Sequence, residues 1–148
     1  MVAGSMETIK IYAEKTSNGN ILREEVPVEK LSNDSYELLA SPGLALNLAK
    51  GDRFRFVDEN TPVEVLQRSG NLCIQFFSDA IPVAAIRSIE RRVAEELNGT
   101  VDGYTERNVV ITVSVELGFP TIEQVVGELA IRLTWSGIRE TSMTWTMA

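Results

Sequence analysis

Residues 70–148 alternate between two hydrophobic periods, and this alternation limits the folds open to the chain more than any other feature of the sequence. Apolar residues recur at every second position, as in half-buried strands, in four segments: 72–77, 100–105, 109–115 and 138–147. They recur every three or four positions, as in amphipathic helices, around 83–97 and 122–133. The predicted order is therefore βαββαβ, which is typical of a ferredoxin-like subdomain with both helices on one face of the sheet.

Residues 8–68 contain no comparable helical stripe. Their short strand candidates are separated by turn residues and lie near 9–11, 26–28, 36–39, 53–57 and 63–66. Because such short strands bury little surface alone, we expect a small β-rich, barrel-like half that packs on the second half. Pro27 lacks the amide hydrogen that a strand ladder needs, so we predict that its strand lies at a sheet edge.

The fold class predicted for the whole chain is α+β, with a β-rich subdomain at 6–69 and a ferredoxin-like subdomain at 70–148 in one compact folding unit. A chain of 148 residues with 44% hydrophobic and 24% charged residues has the size and composition of one globular domain. Residues 1–5 are left out of this prediction, because Met6 is a candidate native start. Neither a membrane-length apolar run nor a secretory signal is evident, so we expect a cytoplasmic protein that does not enter the membrane.

Histidine is absent and Cys73 is the only cysteine, which removes the commonest general base and any multi-thiolate metal site. The lone thiol is interpreted as a small apolar strand residue. Neighbouring carboxylates diverge on a strand or a helix, so we interpret the acidic pairs as surface charge: Glu24-Glu25, Asp58-Glu59 and Glu95-Glu96. We therefore predict no catalytic residue, no cofactor and no metal, and a protein that is not an enzyme.

The formal net charge of −7 disfavours polyanions and favours a basic partner. RNA-binding sheets of this type stack bases on aromatic side chains, and the strand predicted at 109–115 has none. We therefore predict that the chain does not bind nucleic acid.

One face of the second sheet is predicted to be polar but uncharged and open. Its residues are Gln75, Phe77, Thr112, Ser142, Thr144 and Thr146. Such a face suits docking of the β-rich half, self-association as a homodimer, or binding of a protein partner. These alternatives are left open by the sequence.

Two short motifs carry a resemblance to a known family. They are the Leu-x-x-Gly-Asp turn at 48–52 and the Arg-Ser-Gly segment at 68–70. Together with the length and order of the two halves, they resemble an uncharacterised bacterial family with a domain of unknown function. Members often have a histidine and then an arginine after the Ser-Gly, where this chain continues from Asn71 without either, so no active site is carried over.

Our leading functional hypothesis is a non-catalytic bacterial immunity protein that occludes the active site of a cognate basic toxin. Acidic loops would steer and pair with the toxin, and the polar sheet face would contact it. The candidate partner-binding residues are Asp58, Glu59, Glu24, Glu25, Gln75, Thr112, Ser142 and Thr144.

Two alternatives come from other functional classes. The first is a small-ligand sensor or regulatory module with a pocket between the two halves, because junctions between subdomains favour such pockets. The second is an enzyme that uses carboxylates alone.

Overall fold

The computed structural model describes residues 5–78, 80–135 and 141–146. Over these residues the chain is a mixed α+β protein with two sheets and two helices. The strands are β1 Ser5–Lys15, β2 Ile21–Lys30, β3 Ser35–Leu38, β4 Arg53–Arg55, β5 Glu64–Gln67, β6 Asn71–Ser78, β7 Thr100–Tyr104, β8 Asn108–Ser114 and β9 Thr141–Thr146. The helices are α1 Val83–Leu97 and α2 Phe119–Trp135, and a 3-10 turn, Val115–Leu117, precedes α2. The sequence predicts that the second helix ends, and that the last strand begins, within residues 136–140, and that this strand ends at residue 147. These residues lie outside the described ranges.

The first sheet is an antiparallel meander in the order β1-β2-β3-β4-β5. Its core is formed by alternate residues of the paired strands, chiefly Ile11, Val26, Val28, Leu38 and Phe54. In the described part of the chain β1 does not pair with β5, so both are edge strands. The sheet is therefore β-rich as predicted, but a closed barrel is not formed by these pairings.

The prediction that Pro27 marks an edge strand is wrong. β2 pairs with β1 on one side and with β3 on the other. Proline is tolerated because the β2–β3 pairing begins at Val28, one residue later. The Pro27 carbonyl accepts from the Leu39 amide on that same side, so the proline lies at the end of the β2–β3 ladder and its missing hydrogen costs the ladder no more than one terminal hydrogen bond.

The second sheet has the order β7-β8-β6-β9, with antiparallel neighbours. Both helices pack against one of its faces. Among the side chains that the structure describes, the buried residues of this core are Leu72, Ile74, Phe76, Ile81, Ile86, Ile89, Val93, Leu97, Val109, Ile111, Val113, Ile122, Val125, Val126 and Leu129. The period-two and period-three-to-four patterns therefore predicted the inward faces of β6, β8 and both helices.

The ends of α1 differ in part from the prediction. Pro82 occupies the N-cap position without a side-chain cap. Val83, the first residue of the predicted helical stripe, is exposed rather than buried. At the other end Asn98 adopts the left-handed conformation at φ 48°, which ends the helix.

An ion-pair network joins the two helices on their outer side. Arg92 of α1 donates to Glu96 of the same helix and, at 2.5 Å, to Glu128 of α2. These hydrogen bonds to carboxylates raise the pKa of Arg92 above its ordinary value. None of the helices described is long and apolar enough to span a membrane.

Candidate functional site

Asp52 is a fully buried carboxylate in the turn that precedes β4. Its Oδ2 accepts from the Ala49 amide at 3.0 Å and from Arg68 Nη1 at 3.2 Å, and its Oδ1 accepts from the Ser69 amide at 2.8 Å. Arg68 also donates at 2.7 Å to both the backbone and side-chain oxygens of Asn47. The two short motifs of the sequence therefore meet around one buried charge.

Glycine is required at position 51 because the turn lies very close to Ser69. It has φ +89°, and a Cβ atom there would lie 2.9 Å from Ser69 Cβ. The Gly-Asp turn and the Arg-Ser-Gly segment thus pack closely against each other. The three donors described for the Asp52 carboxylate belong to this chain and hold the two segments together.

The other face of the second sheet is covered by the first half of the chain. Cys73 and Val110 form a small buried cluster with Ala49. Gln75 is only 1% exposed and donates to the carbonyl oxygens of Pro42 at 2.8 Å and Ala45 at 3.3 Å. The face predicted as open is therefore occupied at its centre by the segment between β3 and β4.

Two of the predicted partner-binding residues are corrected by this packing. Gln75 and Thr112 are buried, with exposed fractions of 1% and 6%, so neither can contact a protein partner. Ser142 and Thr144 belong to β9, where the register pairs Thr144 with Gln75 and Ser142 with Phe77. Their side chains lie outside the described part of the structure.

A chain of hydrogen bonds crosses the junction between the halves. The Ser41 hydroxyl bonds with that of Thr112 at 2.5 Å, and Asp102 Oδ2 accepts from the Thr112 hydroxyl and the Ser41 amide, both at 2.7 Å. Asp102 Oδ1 accepts from the Thr100 hydroxyl at 2.6 Å. Asp102 in β7 therefore anchors the segment that follows β3.

Glu24 anchors the next residues of that segment. Its carboxylate accepts from the amides of Gly43 at 2.6 Å, Leu44 at 2.9 Å and Ala45 at 2.8 Å. Three amides held by one carboxylate fix the conformation of this loop. The interpretation of Glu24 as a surface charge is thus wrong, whereas its neighbour Glu25 is exposed.

A cavity of about 290 Å³ lies at this junction. It is bounded by β2, by the segment after β3 and by the β7–β8 hairpin. The lining residues are Glu24, Glu25, Val26, Pro27, Ala40, Ser41, Pro42, Gly43, Asp102, Gly103, Tyr104, Thr105, Asn108 and Val110. Its walls combine apolar side chains with a few fixed polar groups, as small-molecule sites do.

Asn108 supplies an acceptor without a donor in this wall. Its Nδ2 donates to the Gly43 carbonyl at 2.7 Å, which fixes the orientation of the amide. Its Oδ1 is buried, and none of the residues that the structure describes donates a hydrogen bond to it. Buried acceptors of this kind are uncommon in folded proteins.

Cys73 lies next to these polar groups but is not an activated nucleophile. Burial raises the pKa of its thiol to about 12, and the negative charges of Asp102 and Glu24 act in the same direction, although hydrogen bonds with Ser41 and Gln75 partly oppose them. Its Sγ donates to the Pro42 carbonyl at 3.4 Å. A neutral, buried thiol is a packing residue at neutral pH.

Asp58 and Glu59 form a separate exposed loop between β4 and β5. Glu59 pairs with Arg23 at 3.3 Å, and Asp58 Oδ1 accepts from the Asn60 amide at 2.8 Å. The adjacent Val57 is 72% exposed. Across the described ranges, no group of three or more histidine, cysteine, aspartate or glutamate side chains is arranged to hold a metal ion.

Sequence reasoning missed the residues that build the cavity. Glu24 and Glu25 were named as candidates, but the lining residues Ser41, Asp102 and Asn108 drew no functional interpretation. No local pattern marks them, because they meet only when the hairpin β7–β8 packs on the loop after β3.

The fold defines the chain as a two-sheet α+β protein with a cavity between its sheets. It belongs to the family described as Domain of unknown function (DUF4265), whose model matches residues 24–136. The resemblance inferred from the two motifs is thereby confirmed.

A solved structure with a similar fold is titled "Novel crystal structure of a hypothetical protein from Neisseria gonorrhoeae". It superposes with a TM-score of 0.61 at 18% sequence identity, and the alignment covers 100% of this chain and 96% of that chain. No curated protein matches the chain significantly.

Proposed function

We propose that the chain is a non-catalytic cytoplasmic binding protein that takes a small ligand in the cavity between its two sheets. The observation that carries this proposal is the cavity itself, which is formed jointly by both halves of the chain. A ligand there would contact the segment after β3 and the β7–β8 hairpin at once. Ligand binding would thereby be coupled to the packing of the two halves, which is what a sensor or regulatory module needs.

The size and rigidity of the cavity support a small ligand. Its volume of about 290 Å³ lies at the lower end of the range for ligand sites. The segment after β3 is held by hydrogen bonds to Glu24 and to Asp102. Because this segment is already ordered, ligand binding would cost little conformational entropy.

A thermal-shift screen against metabolite classes tests the proposal. A ligand at one hundred times its dissociation constant adds about 2.7 kcal/mol to the free energy of unfolding, which is a clear rise in melting temperature for a domain of this size. Absence of any stabilising compound across amines, amino acids, organic acids, sugars and nucleotides would count against it.

The variant Gly43→Ala ties a positive result to the cavity. A Cβ atom at residue 43 would lie 3.3 Å from Val110 Cγ2 and 3.6 Å from both Asn108 Nδ2 and Glu24 Oε2, all on lining residues. This variant is expected to lose the ligand-induced shift. The control Gly127→Ala, in α2 and with no atom within 4 Å of the added methyl, should retain it.

The second candidate function is the immunity protein that occludes a basic toxin. It is favoured by the exposed loop at 57–60, where Asp58 and Glu59 follow the 72% exposed Val57. An apolar side chain next to acidic groups suits a basic protein surface, and the net charge of −7 would steer its approach.

Co-expression with the product of the neighbouring reading frame tests this second function. Rescue of growth and co-purification are expected, and both should weaken in Val57→Asp and in Asp58→Asn/Glu59→Gln. Failure of rescue with a demonstrably toxic neighbour rejects the immunity function and leaves the ligand proposal intact.

We also propose that the second sheet and its helices are a ferredoxin-like subdomain and that the first sheet curls towards a barrel. The strand order β7-β8-β6-β9, with both helices on one face, supports the first statement. An experimental structure compared with ferredoxin-like folds tests both.

A further inference from the structure

The outer edge of β1 is the longest unpaired strand edge among the described residues. β1 pairs with β2 along one side, and no described strand pairs with its other side. A bulge between Tyr12 and Glu14 interrupts the register, so the regular stretch of β1 is Ser5–Tyr12. This stretch is longer than a typical strand of about five or six residues. A long unpaired edge is a template for pairing with another chain.

Pro27 shows which backbone groups of β1 point towards this free edge. Opposite residues in an antiparallel ladder alternate between pairs that exchange two hydrogen bonds and pairs that exchange none. Thr8 lies opposite Pro27, whose nitrogen has no hydrogen and whose carbonyl accepts from Leu39 on the side of β3. The amide and carbonyl of Thr8 therefore point away from β2. By the same alternation, the other residues whose backbone groups face the free edge are Met6, Lys10 and Tyr12.

The side chains of β1 favour a neighbour of the same kind. Its charged residues, two acidic and two basic, are Glu7, Lys10, Glu14 and Lys15. The formal charge of β1 is therefore zero, whereas that of the whole chain is −7. Ile9 and Ala13 are only partly buried against the core of the first sheet, and Met6 is 78% exposed. A strand added at this edge would extend that core and bury more of their apolar surface.

We propose that two copies of the chain form a dimer in which their β1 strands pair antiparallel across a two-fold axis. The two first sheets then join into one continuous sheet, held by main-chain hydrogen bonds as in strand addition. This surface is separate from the junction cavity, so the inference goes beyond the proposed ligand binding and neither depends on the other.

The two-fold axis limits the register of this pairing. It keeps every side chain on the same face of the joined sheet, so outer-face residues lie opposite outer-face residues. An axis at Glu7 or at Lys10 would place identical charges opposite each other, which is destabilising. An axis nearer either end of the regular stretch would pair fewer residues. The remaining positions for the axis are Thr8 and Ile9.

An axis at Ile9 gives more contacts than an axis at Thr8. With Ile9 on the axis, Thr8 lies opposite Lys10 of the second copy and Met6 lies opposite its Tyr12. These pairs exchange about eight backbone hydrogen bonds, against about six with Thr8 on the axis. Ile9 then faces its own copy in a non-hydrogen-bonded pair, where side chains approach most closely. We therefore place Ile9 on the axis.

Sedimentation equilibrium over a range of concentrations tests whether this dimer forms. The mean mass is expected to rise reversibly from one chain to two. Thr8→Pro removes an amide hydrogen that faces the free edge and not β2, so the variant is expected to fold and to dimerise about tenfold more weakly or less. Thr8→Val keeps that amide and should dimerise as the wild type does. A monomer at every concentration, or an equally tight dimer of folded Thr8→Pro, overturns the proposal.

Thr8→Glu and Thr8→Lys test the register. With Ile9 on the axis, residue 8 lies opposite Lys10 of the second copy, so glutamate should tighten the dimer several-fold and lysine should loosen it. Glutamate also makes each chain more negative, so general repulsion predicts the opposite change. Loosening by both variants overturns the axis at Ile9. Absence of any response to either variant shows that β1 lies outside the interface and overturns the proposal.

Cross-linking at the axis gives an independent readout. In a Cys73→Ala background, Ile9→Cys would place two thiols in a non-hydrogen-bonded pair with Cα atoms about 4.5 Å apart, a separation that a disulfide spans. Oxidised glutathione is expected to convert it into a covalent dimer. Lys10→Cys is the control, since residue 10 lies opposite residue 8 and not its own copy, and it should cross-link much more slowly. Equal rates for the two variants contradict the pairing.

A strand from another protein is the competing occupant of this edge. Hydrogen exchange at the amides of Met6, Thr8 and Lys10 distinguishes the two. Protection that rises with the concentration of the chain alone supports the dimer. Protection that appears only with the product of the neighbouring reading frame assigns the edge to that protein and overturns the dimer. The ligand proposal is tested separately by the thermal-shift screen.

Discussion

At Asp52 the chain buries a full negative charge, and such burial is tolerated only where the charge is paired and hydrogen-bonded. The half-exposed Arg68 supplies the countercharge, and the Ala49 and Ser69 amides complete the site. The same residues make up the two motifs on which the family resemblance was recognised. Their grouping thus reflects a fixed connection between β4 and the start of the second sheet.

Asp52→Asn is predicted to lower the free energy of unfolding by about 3 kcal/mol, because it removes one partner of a buried ion pair and turns an amide NH₂ towards a backbone or guanidinium donor. Chemical denaturation measures the loss. Asp34→Asn is the matched control, since Asp34 pairs with Arg55 at the surface with 57% of its side chain exposed, and its change should stay within about 0.5 kcal/mol. Equal losses in the two variants would show that the buried pair has no special role.

The raised pKa of Cys73 predicts a dependence of stability on alkaline pH. Below about pH 9 the thiol is neutral in both the folded and the unfolded chain, so it contributes no slope. Between about pH 9 and about pH 12 the unfolded thiol loses its proton while the folded one retains it, so the free energy of unfolding falls as pH rises. The contribution approaches about 1.4 kcal/mol per pH unit within that window.

Comparison of the wild type with Cys73→Ala isolates this contribution from other titrating groups. The difference in unfolding free energy between the two proteins should shrink as the pH rises above about 9. The native thiol should also resist iodoacetamide at pH 8 and react readily in denaturant. Rapid alkylation of the folded protein would contradict the assignment of Cys73 as a packing residue.

At the scale of elements, the turn between α1 and β7 determines how closely the helix approaches the sheet. Gly99 follows the left-handed Asn98, and its amide donates to the Val93 carbonyl at 3.1 Å. A Cβ atom there would lie 2.5 Å from the Thr112 backbone oxygen and 2.8 Å from Val113 Cγ1. Glycine is needed here for close approach to β8.

Gly99→Ala is predicted to lower the free energy of unfolding by about 3 kcal/mol, because backbone atoms of β8 must move to admit the methyl group. Gly103→Ala is the control in the next strand, where no atom lies within 4 Å of the added carbon. Its effect should stay within about 0.5 kcal/mol. Urea denaturation compares them, and a tolerated Gly99→Ala would mean that the turn is looser than described.

The elements show which parts of the fold the sequence could specify. Helical spacing of apolar residues predicts the buried positions of α1, which are Ile86, Ile89, Val93 and Leu97. Alternation of apolar residues at every second position predicts the inward face of β6. Both are local patterns, repeated over enough residues to be unambiguous. The strand with Pro27 was misplaced because the missing amide hydrogen matters only on one side of the strand, and the side depends on where the neighbouring ladder begins.

The candidate site was less accessible to prediction, for a physical reason at the scale of the whole molecule. A pocket between the halves was one of the expected alternatives, but its residues come from β2, the loop after β3 and the β7–β8 hairpin. Ser41 and Thr112 are separated by 71 positions in the chain and meet in one hydrogen bond. No spacing rule links such residues before the packing of the two sheets is known.

At this scale the two halves are joined by a buried polar junction rather than by an exposed sheet face that awaits a partner. Gln75 and Thr112 are buried in that junction, next to the cavity. We propose that recognition takes place in this cavity.

The most direct measurement of that claim is a crystal structure of the chain grown with the compound that stabilises it most in the thermal-shift screen. The predicted result is the compound in the junction cavity, in contact with both the loop after β3 and the β7–β8 hairpin. The compound bound elsewhere, with the cavity holding only water, would contradict the account.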